Sequence, residues 1–105
     1  MRYEFMFPFR NNTYLASVLF SFEEEPYFLS TTILDTKLME EFGQSLSIKT
    51  DGESVLHNPS EPVAVIQLKD AVFNYLKQTP AFIQLRDKYS SRKKQHRKDL
   101  KHHRG

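Results

Sequence analysis

Apolar residues recur at every second position from Tyr3 to Phe9, with Tyr3, Phe5, Phe7 and Phe9 on one side and Glu4, Met6 and Pro8 on the other. Period two is the repeat of an extended chain whose successive side chains point to opposite faces, so the segment is expected to be a half-buried strand. Pro8 lacks a backbone donor, so this strand is expected at a sheet edge, or its end is expected to be unpaired at that point. Arg10-Asn11-Asn12-Thr13 follows as a turn, its asparagines tolerant of positive φ, and a second strand from Tyr14 to Phe22 completes a hairpin. There Tyr14, Ala16, Val18, Phe20 and Phe22 share one side, while Leu15, Ser17, Leu19 and Ser21 share the other. Both sets hold apolar residues, so this strand is expected to be more central than the first. After Glu23-Glu24-Glu25-Pro26, the β-rich run from Tyr27 to Leu34 returns as a third strand, with Ser30, Thr31 and Thr32 its less buried positions.

The pattern then changes. Asp35 can cap a short helix over Thr36 to Phe42, closed by Gly43 where positive φ is wanted. Gln44 to Thr50 alternates again, and Asp51-Gly52 is a two-residue turn signal leading into Glu53 to His57, which predicts a second hairpin of short strands. Beyond the rigid connection Asn58-Pro59-Ser60-Glu61-Pro62, the spacing from Val63 to Gln78 is helical. Val65, Leu68, Val72, Tyr75 and Leu76 line one face, and Gln67, Asp70, Asn74, Lys77 and Gln78 the other. Val63 to Ile66 reads equally well as a strand leading into a helix from near Lys69. Thr79-Pro80 supplies the cap and first-turn proline of a last helix, with Phe82, Leu85 and Tyr89 at helical spacing, and after Tyr89 the apolar stripe ends.

These elements predict an α+β fold: one domain over residues 1–90, with a mainly antiparallel sheet of four to five strands and two C-terminal helices packed on one face, followed by a basic C-terminal extension over 91–105. Phe5, Phe7 and Phe9 are expected in the core together with Val65, Leu68, Val72, Leu76, Phe82 and Leu85. A core of that make-up suits 105 residues with nine Phe, five Tyr and no Trp, because each buried ring removes roughly 150–250 Å² from water. The same burial argues against using the aromatics of the first hairpin as a stacking platform for single strands.

Composition narrows the chemistry. The chain has no cysteine, which excludes disulfides, cysteine nucleophiles and thiolate metal sites and fits a reducing, cytoplasmic setting. The charged opening Met1-Arg2-Tyr3-Glu4 interrupts any signal-peptide core, and no apolar run approaches the ~20 residues that span a bilayer, so no membrane partner is expected. Gly43, Gly52 and Gly105 are too few and too scattered to cradle a phosphate. The acidic clusters Glu23 to Glu25, Glu40 with Glu41, and Asp51 with Glu53 lack the oxygen spacing of a cation loop and read as solvated surface. His57 is the only histidine before the tail. As a general base it would need an orienting carboxylate and a nucleophile, and no spacing identifies either, so a turn role is expected. No catalytic residue, metal or cofactor is assigned.

Charge is divided unevenly. Seven of the fifteen Lys and Arg, but only Asp99 of the thirteen Asp and Glu, lie in 91–105, giving that segment net +6 and residues 1–90 net −4. Arg92, Lys93, Lys94, Arg97, Lys98, Lys101 and Arg104 are therefore the candidate nucleic-acid-binding residues. On a helix Lys93, Arg97, Lys101 and Arg104 would form one stripe, and His96, His102 and His103 would add charge below about pH 6.5. Such a segment would hold RNA or DNA by its backbone without reading bases. The function expected first is thus a small, non-enzymatic intracellular binding protein that contacts nucleic-acid backbone through its tail. A protein interaction module or homodimer comes second, using a sheet edge or a helix face, with Phe73 as the contact because it lies off the main apolar stripe. A small-molecule binder or enzyme with a pocket between sheet and helices comes third.

The tail generates a direct prediction. The whole chain should bind single-stranded RNA with a log-log salt slope of roughly −5, for seven cations on a single strand, and a chain ending at Ser90 should lose that binding. A salt titration with both chains measures it.

Overall fold

The computed structural model describes residues 2–23 and 26–88. Four strands, β1 (Tyr3–Phe9), β2 (Asn12–Ser21), β3 (Tyr27–Ile33) and β4 (Ser45–Thr50), form an antiparallel sheet in the order β1-β2-β3-β4. Helix α1 (Thr36–Phe42) lies between β3 and β4 in the chain; α2 (Val63–Leu76) and α3, described over 80–88, follow the sheet. This is the α+β arrangement that the hydrophobic pattern predicts. Of the two alternatives that Pro8 allowed, the edge is the one found: β1 is an edge, with Pro8 paired to Thr13, and β2 lies inside.

Local chemistry sets the connections. Phe9 pairs with Asn12, leaving Arg10 and Asn11 as a two-residue loop with φ of 50° and 63°. Two positive φ values match the right-handed twist of the flanking strands. Arg10 is an unusual occupant of the left-handed region, and it is anchored outside the turn. Its Nη1 donates to Glu41 at 2.8 Å, and its guanidinium lies 4.8 Å from the Phe9 ring centroid and 5.5 Å from that of Phe42. The first hairpin is thereby tied to α1. Asp35 Oδ1 caps α1 by accepting from Leu38 N–H at 3.0 Å, and Gly43, at φ 85°, donates its N–H to Met39 O at 2.7 Å. Thr79 Oγ1 donates to Leu76 O at 2.6 Å and accepts from Phe82 N–H at 3.4 Å, which joins the end of α2 to the start of α3.

Phe5, Phe7, Phe9, Ala16, Val18, Leu29, Ile33 and Ile48 face the helices and are buried, as are Leu68, Val72, Phe73, Leu76 and Phe82 above them. Aromatic contacts join the two layers: Phe5 stacks on Tyr75 at 5.7 Å, and Phe82 meets Phe22 edge-on at 5.4 Å. Leu85 and Val65 pack against this cluster from its margin and are only partly buried.

Four local expectations change. Thr31 is 2% exposed, because it shares the parity of Leu29 and Ile33; its hydroxyl donates to Leu29 O at 3.3 Å. The second hairpin is reduced to a single bridge, Thr50 to Val55, with Leu56 N–H on Lys49 O at 2.7 Å. Side chains have taken the donors a ladder would use: Thr50 Oγ1 accepts from Gly52 N–H, and Asp51 Oδ1 accepts from Glu53 and Ser54 N–H. Val63 to Ile66 is the first turn of α2 and not a strand. Phe73 is 2% exposed, its ring at 89° to that of Phe82 and 5.7 Å away, so it belongs to the core and offers no free contact surface. The physical reason is α3, which folds back and gives the Phe73 side of α2 a second apolar neighbour.

Phe7 is fully buried, and Phe7→Ala should lower the free energy of unfolding by about 3–5 kcal/mol. Asp35→Ala should cost about 1 kcal/mol through the lost cap. Denaturant unfolding of both variants checks these values.

Candidate functional site

The face of the sheet turned away from α2 and α3 carries the other parity of each strand. Among the described residues, five of the seven exposed large hydrophobic residues lie on it: Met6, Leu15, Leu19, Phe28 and Leu34. The register groups them. Met6 pairs with Leu15, and Leu34 N–H donates to Leu15 O at 3.0 Å, so Met6 on β1, Leu15 on β2 and Leu34, the residue after β3, form one row. Leu19 pairs with Ser30 and Ser21 with Phe28, which sets Leu19 and Phe28 on a diagonal within reach of each other. Single exposed apolar residues are ordinary; a grouped set on a face that no described residue covers is less so.

Between these two apolar groups runs a polar row, Glu4, Ser17, Thr32 and Ser45. Arg2 reaches across it, with Nη1 donating to Thr32 Oγ1 at 2.9 Å and to Ser17 Oγ at 3.3 Å. The guanidinium roofs Ser17, which is buried at 5% exposure although it stands on the open face. Arg2, Glu4, Ser17, Thr32 and Ser45 line one shallow depression. Glu4 is exposed and, among the described residues, has neither a hydrogen bond nor an ion pair. The centre of the face thus presents one fixed cation and one free carboxylate.

His57 belongs to a second cluster, where the 51–62 loop meets α2. His57 Nε2 lies 2.8 Å from Asp70 Oδ1, and because a carboxylate only accepts, Nε2 carries the hydrogen. Asp70 is the orienting carboxylate, thirteen residues away, that the sequence did not reveal. Nδ1, the nitrogen a general base would use, is buried and has no hydrogen-bond partner among the described residues. Beside the pair, Lys69 Nζ and Glu61 Oε2 are 2.9 Å apart, and Glu61 Oε1 accepts from Asn58 N–H at 3.2 Å. The cluster pins the loop to the helix. Among the described residues no group of three or more His, Asp or Glu could hold a metal ion.

Of the residues singled out in the sequence, Phe73 is in the core, and Arg92, Lys93, Lys94, Arg97, Lys98, Lys101 and Arg104 lie outside the described residues. Alternation alone puts Leu15 and Leu19 opposite the core side of β2 and gives them no role. Their signal was an apolar residue on the polar parity of three strands. Among the described residues no helix is long and apolar enough to cross a membrane. No family model matches this chain, nor does any curated protein or solved structure.

Two carboxyls of the 51–62 loop have pKa values lowered from the ordinary range. Asp51 is held down by the backbone N–H groups of Ser54 and Glu53, and Glu61 by its hydrogen bond with Lys69. A carboxyl lowered in the folded state contributes stability above its unfolded pKa, and that contribution is lost as pH falls through the folded value. Asp51→Ala and Glu61→Gln should therefore be less stable than the parent at neutral pH, with a gap that narrows as the solution is acidified below the carboxylate range. Thermal unfolding across a pH series measures the gap.

Proposed function

We propose that this is a non-enzymatic binding protein whose folded body holds a protein partner on the open face of its sheet. The grouping of Met6, Leu15, Leu34, Leu19 and Phe28 on that face, outside the core and around the Arg2–Glu4 centre, is the observation that carries the reading. An antiparallel sheet can leave one face to water, but such a face is normally polar. Here the exposed parity keeps large apolar side chains that folding leaves partly exposed, which favours a surface that is covered in use. The buried Nδ1 of His57 weighs against the enzymatic alternative.

The net +6 of residues 91–105 supports a second role, sequence-independent contact with RNA or DNA backbone. The two roles use different parts of the chain and are compatible.

A photo-crosslinking side chain placed at Leu15, and separately at the exposed Gln67 on α2, tests the first role in cells producing the protein. The expected result is a discrete protein adduct from position 15 and none from position 67. No adduct from position 15, or the same adducts from both positions, would remove the open face as the binding surface.

A further inference from the structure

We propose that the occupant of the open face is a second copy of this chain, docked β2 against β2 about a twofold axis that runs along that strand, with Arg2 of each copy meeting the partner's Glu4. This deepens the reading of the open face as a binding surface and rests on it.

The argument is the self-complementarity of the register. An axis along β2, in the plane between two facing sheets, brings every β2 position opposite its own copy and β1 opposite the partner's β3. In the first row Leu15 then meets the partner's Leu15, and Met6, on β1, meets the partner's Leu34. Two positions along β2, Ser17 meets the partner's Ser17, small on small, which leaves room for the guanidinium lying over it. Leu19 meets the partner's Leu19 two positions further on. Leu15 and Leu19 thus face their own copies, flanked in the first row by Met6 and Leu34, while Phe28, level with Ser21, lies beyond the start of the partner's β1.

Charge fits the same axis. The Arg2 guanidinium lies between Ser17 and Thr32, on the β2–β3 side, while Glu4 stands on β1 in the same row. Rotation about β2 carries the β3 side of one copy over β1 of the other, so each guanidinium approaches the partner's Glu4. That carboxylate has no other partner among the described residues. Opposite charges placed symmetrically about an axis are what an isologous interface requires. An anionic ligand such as a phosphate is disfavoured on the same geometry, because the Glu4 carboxylate shares the depression with Arg2.

Size sets the strength. Four strands about 4.8 Å apart, each about seven residues long at about 3.3 Å per residue, give a face of roughly 20 by 23 Å. Twisted sheets pack face to face about 10 Å apart with strands aligned within about 30°, so most of that face is used. It remains smaller than the about 800 Å² per partner of a standard stable interface, and the dimer should dissociate in the micromolar range, on the order of 1–100 μM.

Sedimentation equilibrium of the full chain across concentration tests the proposal. The weight-average mass should rise from 12.4 kDa toward twice that value. Leu15→Asp, Glu4→Arg and Arg2→Glu should each raise the dissociation constant by about tenfold or more while leaving the circular dichroism unchanged. Mixing Glu4→Arg with Arg2→Glu should restore the dimer, because every facing pair in the mixed species is again of opposite sign; a misfolded variant could not produce that rescue. A parent chain that stays monomeric to about 1 mM, far above the expected constant, would overturn the proposal. So would a dimer indifferent to Leu15→Asp, or the absence of rescue in the mixture. A monomer that still gives adducts at position 15 with another protein ends the self-association but keeps the open face as a binding surface; a monomer without adducts ends both.

Discussion

The pairing of β1 with β2 is the constraint on which the remaining structure depends. Strand parity has a period of two, so a slip of one residue would turn Phe5, Phe7 and Phe9 into water and bring Glu4, Met6 and Pro8 under the helices. Each buried Phe contributes about 1.5–3 kcal/mol, so three rings together rival the whole stability margin of a small domain, about 5–15 kcal/mol. The hairpin loop locks the same register from its end, since Arg10 and Asn11 both occupy positive φ and Arg10 is held by Glu41 and two rings. Once that edge is fixed, β3 and β4 add in sequence, and Phe5, Phe20 and Phe22 present a continuous aromatic layer for Tyr75 and Phe82 to close.

Much of this architecture is legible in the sequence, where a local rule and the tertiary structure agree. The alternation of β1 and β2, the proline at the edge, the Asp35 and Gly43 caps and the Thr79-Pro80 start of α3 all have short-range physical causes. The failures have long-range ones. Thr31 looks polar by residue type, but parity puts it inside between Leu29 and Ile33, with its hydroxyl satisfied by a backbone carbonyl. The chain does reverse at Asp51-Gly52, but over the four residues 51–54, where Thr50 and Asp51 side chains take up the N–H groups of Gly52, Glu53 and Ser54, and only the Thr50–Val55 bridge and the Leu56 N–H bond to Lys49 O follow. Phe73 lies beside the main stripe of α2, and only the return of α3 makes that flank interior.

The candidate site was legible in one coordinate and hidden in the other. Which residues of a strand point away from the core follows from alternation, so Met6, Leu15 and Leu19 can be placed on the outer face from sequence. That they gather with Leu34 and Phe28 depends on strand order and register, which no single strand encodes. The Arg2 bridge over Ser17 and Thr32 spans 15 and 30 residues of sequence, and the His57–Asp70 pair spans 13. Each joins side chains through the topology of the sheet or the return of α2, and neither leaves a spacing signature in the chain.

Parity also separates what folds this protein from what its surface can bind. Phe7 and Leu15 lie one strand apart on adjacent chain segments, yet one is fully buried among the helices and the other is 40% exposed on the opposite side. Replacing an outer-face leucine removes less than replacing a core phenylalanine, because its side chain is only partly buried by folding. The inner set is constrained by the volume of the core, and the outer set is not. Retaining leucine, methionine and phenylalanine on the outer set runs against the pressure to keep an exposed sheet face polar. In a chain whose core is already supplied by the inner parity, the fold alone does not call for those side chains, which is why the open face is proposed to be a docking surface.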